Sequence, residues 1–327
     1  MMRRLIAGLA VLLSCLTPLP LLAAEPADIR LGVLQYGTVN WELDVIRHHG
    51  LDAVHGIHLE VVPLALKDAA AVAVQGGAVD VIVSDWLWVA RQRGEGRDYT
   101  FYPYSRAEGS LMVRPDAGIA SLADLAGKRL GVAGGALDKS WLLLRAYSRR
   151  QTGRDARDLV EPNFAAPPLL NQLMLQGQLP AVLNFWHYAA RLEAAGMRRL
   201  VSIDEVLAGL ELDRELPMVG WVFKEAWARA EPAAIDGFLK ASAEAKRILA
   251  ESDAEWERLR PLMQAEDEAT CRALRDGFRA GIPTAAVAQA EAAARQAFLV
   301  LAREGGAPLV GNAAELGDGV FWQGSGR

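Results

Sequence analysis

After the first two dozen residues the chain alternates short apolar runs with amphipathic segments. Asp28 to Leu34 is a β-like run ending at Tyr36-Gly37-Thr38-Val39-Asn40, and Trp41 to His49 has helical character, with Thr38 or Asn40 placed to cap it. Ile57 to Val62 reads as a second strand and Asp68 to Gln75 as an Ala-rich helix. A third strand, Val79 to Val83, delivers Ser84-Asp85-Trp86 to a helix that runs to Arg93. Strands alternating with helices at this spacing predict a parallel, doubly wound sheet.

The pattern then repeats. Leu111 to Pro115 reads as a crossing strand, Ser121 to Lys128 as a short capped helix and Arg129 to Ala133 as a strand. Gly134-Gly135 follows and leads into a helix through Arg149; a glycine pair at such a turn leaves N–H groups open at a helix N-terminus. Asn171 to Pro180 is a helix end and its turn, and Ala181 to Trp186 is a strand ending in polar and aromatic residues. Pro217 to Phe223 suits a return strand, and from about Glu231 the chain is nearly all helical. The last dozen residues carry no pattern that would anchor them.

These elements predict an α/β fold of two doubly wound lobes with a ligand cleft between them. The hinge is expected near residues 106 to 114 and 214 to 220, which gives a first lobe of residues 25–108 and 218–327 and a second of residues 109–217. Doubly wound sheets take ligands at the carboxyl ends of their strands, so Tyr36 to Trp41 and Ser84 to Trp86 should face one crevice.

Composition narrows the class. Met1-Met2-Arg3-Arg4, the apolar run Leu5 to Leu13 and the small residues before Glu25 have the layout of a secretory signal, residues 1–24, which implies a periplasmic product. Leu12-Leu13-Ser14-Cys15 loosely resembles a lipobox, a competing reading in which Cys15 is lipidated. Removing residues 1–24 deletes two arginines and no acid, taking the formal charge from -5 to -7. A mildly acidic chain without a basic run is a poor partner for nucleic acid. Cys271 would then be the only cysteine, read as a small buried hydrophobe.

Three stretches carry a family likeness: Ala71 to Val81, Ser121 to Val132 and Gln176 to Val182. With the order of segments around them, the chain resembles the ABC-transporter binding proteins for nitrate, sulfonates, taurine and thiamine-type pyrimidines. That resemblance implies a type II periplasmic binding fold, a small-molecule ligand held between the lobes, docking on an ABC permease in the inner membrane and a monomeric chain without a cofactor. Carried onto this sequence, the contacts of such proteins fall on Gly37, Thr38, Asn40 and Trp41; Ser84, Asp85 and Trp86; Gly135, Leu137 and Asp138; and Asn184, Phe185 and Trp186. Asp85 and Asp138 stand where an anion binder would want donors, which weighs against nitrate and sulfonate.

The aromatic residues at these places offer stacking area and cation-π attraction, and Asp85 can accept from an amine. Together they favour a planar or cationic amino-heterocyclic ligand, such as a pyrimidine. The plain alternatives are that Trp86, Trp88, Trp141 and Trp221 fill cores and that Asp85 and Asp138 cap helices. His48, His49, His55 and His58 do not form a metal set, because adjacent histidines do not share a helix face and no paired carboxylate completes four ligands. No Gly-x-Ser-x-Gly elbow, P-loop or His-Glu-x-x-His occurs, so no enzyme is expected. A nitrate- or sulfonate-type anion binder and a periplasmic sensor that presents a solute to a signalling partner are the alternatives; a pyrimidine synthase is usually cytoplasmic, and the signal segment argues against it.

Overall fold

A computed structural model describes residues 25–325. The expected signal segment and Cys15 lie outside the described residues. The strands are β1 Ala27–Leu34, β2 Ile57–Leu64, β3 Val81–Ser84, β4 Tyr99–Ser105, β5 Gly109–Val113, β6 Arg129–Val132, β7 Glu161–Phe164, β8 Ala181–Phe185, β9 Arg198–Ser202 and β10 Val219–Lys224. Helices α1 Val39–His49, α2 Leu51–Val54, α3 Lys67–Gln75 and α4 Trp86–Gly94 accompany the first strands. Helices α5 Lys139–Thr152, α6 Ala156–Leu159, α7 Pro167–Leu175, α8 Trp186–Ala194 and α9 Ile203–Gly209 lie among the later ones. The remainder comprises α10 Glu225–Ala230, α11 Pro232–Glu251, α12 Asp253–Met263, α13 Glu268–Ala280, α14 Val287–Gly305 and α15 Ala307–Val310.

Two five-stranded sheets result, with orders β2-β1-β3-β10-β4 and β7-β6-β8-β5-β9. Each has a parallel core of three strands, β2-β1-β3 or β7-β6-β8, followed by an antiparallel strand, β10 or β5. The antiparallel strand comes last in sequence in one sheet and first in the other, so the chain crosses twice. Gly220 pairs with Ser84, and Gly109 with Phe185. Both crossings therefore lie beside the carboxyl ends of β3 and β8, where a doubly wound sheet presents its ligand side.

The first crossing is shorter than the sequence suggests: Gly109–Val113 is already inside the second sheet, which leaves Arg106 to Glu108 as the connection. The guanidinium of Arg106 pairs with Glu215 at 3.1 Å and donates to Arg214 O and Ala280 O, which binds the two crossings and the end of α13 together. Ser121 to Lys128 forms a single 3-10 turn, Leu122–Leu125, held by a Ser121/Asp124 capping box. Strands β4, β7 and β9 are additional to those expected from the sequence; β7, with the sequence EPNF, is an exposed edge strand without an apolar run.

The C-terminal helices pack on strands of the first sheet and on helices α5 and α8 that accompany the second. Alanines 290, 293, 294 and 297 make one buried stripe of α14, small enough for close packing on α5 and β4. Arg145 of α5 pairs with Asp155 at 2.9 Å and donates to Glu304 O, and Arg149 pairs with Glu304, which fixes α5 to α14. The chain end is anchored against expectation. Phe101 N–H donates to Val320 O and Trp322 N–H to Phe101 O, while Phe321 and Trp322 are buried against the edge of β4.

Candidate functional site

The turn after β3 places Asp85 at the N-terminus of α4, where its carboxylate accepts from Trp88 N–H at 2.8 Å. The turn after β6 places Asp138 likewise at the start of α5, accepting from Ser140 N–H at 2.9 Å. Gly134 makes that turn possible: its φ is +79°, and a Cβ there would stand 2.3 Å from the Asp138 carboxylate. Both acids thus cap helices, and each also faces the other lobe.

The two turns meet through Lys139. Its ammonium lies 3.6 Å from Asp85 and is nearly buried, and Lys67 reaches the same carboxylate from the N-terminus of α3 at 2.8 Å. Glu108 of the first crossing accepts from Ser140 Oγ at 2.5 Å. Three carboxylates, Asp85, Glu108 and Asp138, therefore act on one buried ammonium. Burial would push the Asp85 carboxyl up, but Lys139, Lys67 and the hydrogen bonds from Lys67 and Trp88 hold it well below the usual carboxylate range. Burial would likewise push Lys139 down, and the three carboxylates hold it above its ordinary value. Glu108 and Asp138 are raised, first by burial.

This charged bridge separates two cavities between the lobes. The smaller, about 310 Å³, is lined by Lys67, Asp68, Ser84, Asp85, Trp88, Arg91, Leu137, Asp138, Lys139 and the start of α15. The larger, about 810 Å³, lies between the first crossing, α8, α9 and α13, and its wall includes Glu108 and Trp186. Its other charged lining is mostly self-paired, Arg199 with Glu193 and Arg214 with Asp204. The smaller cavity joins the carboxyl-end turns of both sheets and is the candidate site.

Of the residues that the sequence nominates, Ser84, Asp85, Leu137 and Asp138 come together there. The others serve elsewhere in this conformation. Trp86 is wholly buried and donates its indole N–H to Pro217 O at 2.9 Å, tying α4 to the second crossing. Asn40 donates to Leu34 O, Gln35 O and Gly37 O and so staples the loop that holds Gly37 and Thr38. Asn184 is buried and fully used, donating to Pro167 O and Asn171 Oδ1 and accepting from Phe185 N–H. Gly135 adopts φ +91° in the turn before Asp138. Trp41 stands edge to face with Trp186, ring centroids 5.9 Å apart, and with Trp256 at 6.0 Å. Phe278 joins this interlobe cluster, and Phe185 is half-buried beside it in sequence. Helix α13 approaches α8 closely because residue 277 is glycine; a Cβ there would lie 2.9 Å from the Trp186 ring.

Sequence reasoning missed the cations. Lys67, Arg91 and Lys139 all line the smaller cavity, and among the described residues Arg91 has no carboxylate within ion-pair distance. The expectation that this place lacks donors is corrected accordingly. The signal was present in Lys67 and Lys139, each one residue past a strand-to-helix turn, but their convergence depends on how the lobes face each other. His187 was also missed. It packs between Trp186 and Tyr188, its Nδ1 is buried without a partner, and burial with the nearby Arg191 pushes its pKa down to about 3.

Two doubly wound sheets crossed twice, with a charged cleft at their strand ends, define the two-lobed fold of the periplasmic binding proteins. The sequence profile of the NMT1/THI5-like family matches residues 47–255, more than half of the chain, and the protein belongs to that family. Among solved structures it is similar to the periplasmic aliphatic sulphonate binding protein SsuA from Escherichia coli, at 18% identity and a TM-score of 0.71, over 91% of this chain and 93% of that one. The alkanesulfonate-binding protein SsuA from Xanthomonas axonopodis pv. citri, bound to MOPS, gives 18% identity and a TM-score of 0.67 over 92% and 99%. The periplasmic nitrate-binding protein NrtA from Synechocystis PCC 6803 gives 13% and 0.55 over 77% and 70%. No curated protein sequence matches the chain significantly. No described helix is long and apolar enough to cross a membrane.

Proposed function

We propose that the chain is the exported solute-binding component of an ABC importer, acting in the periplasm and catalysing nothing, with a planar or cationic amino-heterocyclic ligand. The lobes are residues 25–108 with 218–327, and residues 109–217, hinged at Arg106 to Glu108 and at the return crossing. Ligand bridges the Ser84-Asp85 and Leu137-Asp138 turns and favours the closed arrangement by its preference for the cleft. The observation that carries the ligand class is that Asp85 takes both Lys67 and Lys139 as its ion-pair partners, so that among the described residues the buried carboxyls of Glu108 and Asp138 have no cation in salt-bridge contact. An amine or amidine would complete that balance, and the Trp88 edge of the cavity supplies a ring.

A second reading, an anion such as a sulfonate, is favoured by the guanidinium of Arg91, which with Lys67 lines the cavity and among the described residues has no carboxylate partner, and by the sulfonate and nitrate bound by the similar proteins. A thermal-shift and calorimetric screen with amino-pyrimidines, amines, alkanesulfonates and nitrate separates the two, because a ligand of the folded state raises the melting temperature. Binding of amino-heterocycles that Asp85→Asn weakens supports the first reading. Binding of sulfonate that Arg91→Gln weakens overturns it in favour of the second.

A further inference from the structure

We propose that His48, His49 and Glu255 form a site for one divalent transition-metal ion of the zinc, nickel or copper class, at the junction of α1 and α12. The imidazoles of His48 and His49 stand edge to face, centroids 4.9 Å apart. One ligand atom from each of the three residues lies within 4.8 Å of the others. Adjacent side chains on a helix diverge by about 100°, the ground on which these histidines were set aside. They are, however, the last two residues of α1, and α12 brings Glu255 to the same spot, which supplies the carboxylate that the sequence did not reveal.

The two oxygens of Glu255 have separate roles. Arg258 donates through Nε and Nη2 to Oε1, at 2.9 and 2.6 Å, and also pairs with Asp44. Oε2 is left facing His49 Nε2 at 3.3 Å. Such a pair is bridged by a proton on Nε2 or by a cation, and a metal ion exchanges for that proton. Two histidines and a carboxylate make a three-ligand zinc set with one position open. Metal–nitrogen bonds of about 2.0–2.1 Å require ligand atoms about 3.4 Å apart, a closure of about 1 Å for two exposed imidazoles. A bound ion would clamp α1 to α12 behind the Trp41–Trp256 contact.

The test is isothermal titration of the untagged protein with zinc and nickel chlorides in a non-chelating buffer at pH 7.5. One ion per chain is expected. His48→Gln and His49→Gln should each weaken binding at least tenfold. His58→Gln, whose exposed ring pairs with Asp28, should leave it unchanged. The absence of saturable binding, binding that survives in both His48→Gln and His49→Gln, or an equal loss in His58→Gln would overturn the site. Far-UV circular dichroism confirms that each variant is folded.

Discussion

Replacing Lys139 by Met removes the ammonium that joins the two lobes while keeping most of its volume. At 3.6 Å from Asp85, a unit-charge pair is worth about 5 kcal/mol at an effective dielectric of about 20. Breaking one side of a buried pair typically costs about 3–5 kcal/mol, because the other charge is left desolvated. Here three carboxylates lose their shared partner, and Lys67, mostly exposed, compensates little. At about 2 °C per kcal/mol for a chain of this size, the melting temperature should fall by about 6–10 °C. Asp85→Asn should cost less, because asparagine can still cap α4 and Lys139 keeps Glu108 and Asp138. Urea denaturation of both variants and of their combination measures the coupling, which should make the double variant less destabilised than the sum of the singles. The reasoning fails if Lys139→Met shifts the melting temperature by under 2 °C, or if Asp85→Asn is the costlier change. The pair's contribution should also be flat between about pH 5 and 9. Asp85, held low, loses its share only as pH falls through its folded value, and Lys139, held high, only as pH rises through its own.

Three further outcomes follow from the packing. His187 is depressed to about 3, so the unfolded chain takes up a proton that the folded one refuses; stability should fall by about 2 kcal/mol between pH 7 and 5, and His187→Phe should flatten that slope in pH-dependent denaturation. Gly277→Leu puts a side chain into the Trp186 ring and should cost about 1–3 kcal/mol while parting α13 from α8, seen as a larger radius of gyration by small-angle scattering; an unchanged radius and stability would contradict the close approach. Asn184→Leu leaves Asn171 Oδ1 and Pro167 O without their donor and should destabilise by about 1–3 kcal/mol in urea, whereas a neutral effect would mean that the amide is not structural.

The sequence by itself determined most of the elements and their order. Apolar runs such as Ile29, Leu31 and Val33, followed by helices with acidic caps at Asp85 and Asp138, define strand-turn-helix units, and that information is local. It points to the carboxyl-end turns as the candidate ligand side for the same reason. Edge strands such as β7 escaped because an exposed edge needs no apolar pattern. Tertiary structure alone decided which residues of those turns meet. Asp85 and Lys139 follow strands of different sheets and meet only because the two crossings bring those strand ends together. Trp41, Trp86 and Asn184 carry the same local signature as Ser84 and Leu137, yet packing sends them to an interlobe cluster, a core and a buried amide network. The juncture of His48 and His49 with Glu255 depends on how α11 and α12, some two hundred residues further along the chain, pack on α1. Spacing in sequence sets a side chain's direction within its own element; its neighbours from distant elements are set by how those elements pack, which no local pattern encodes.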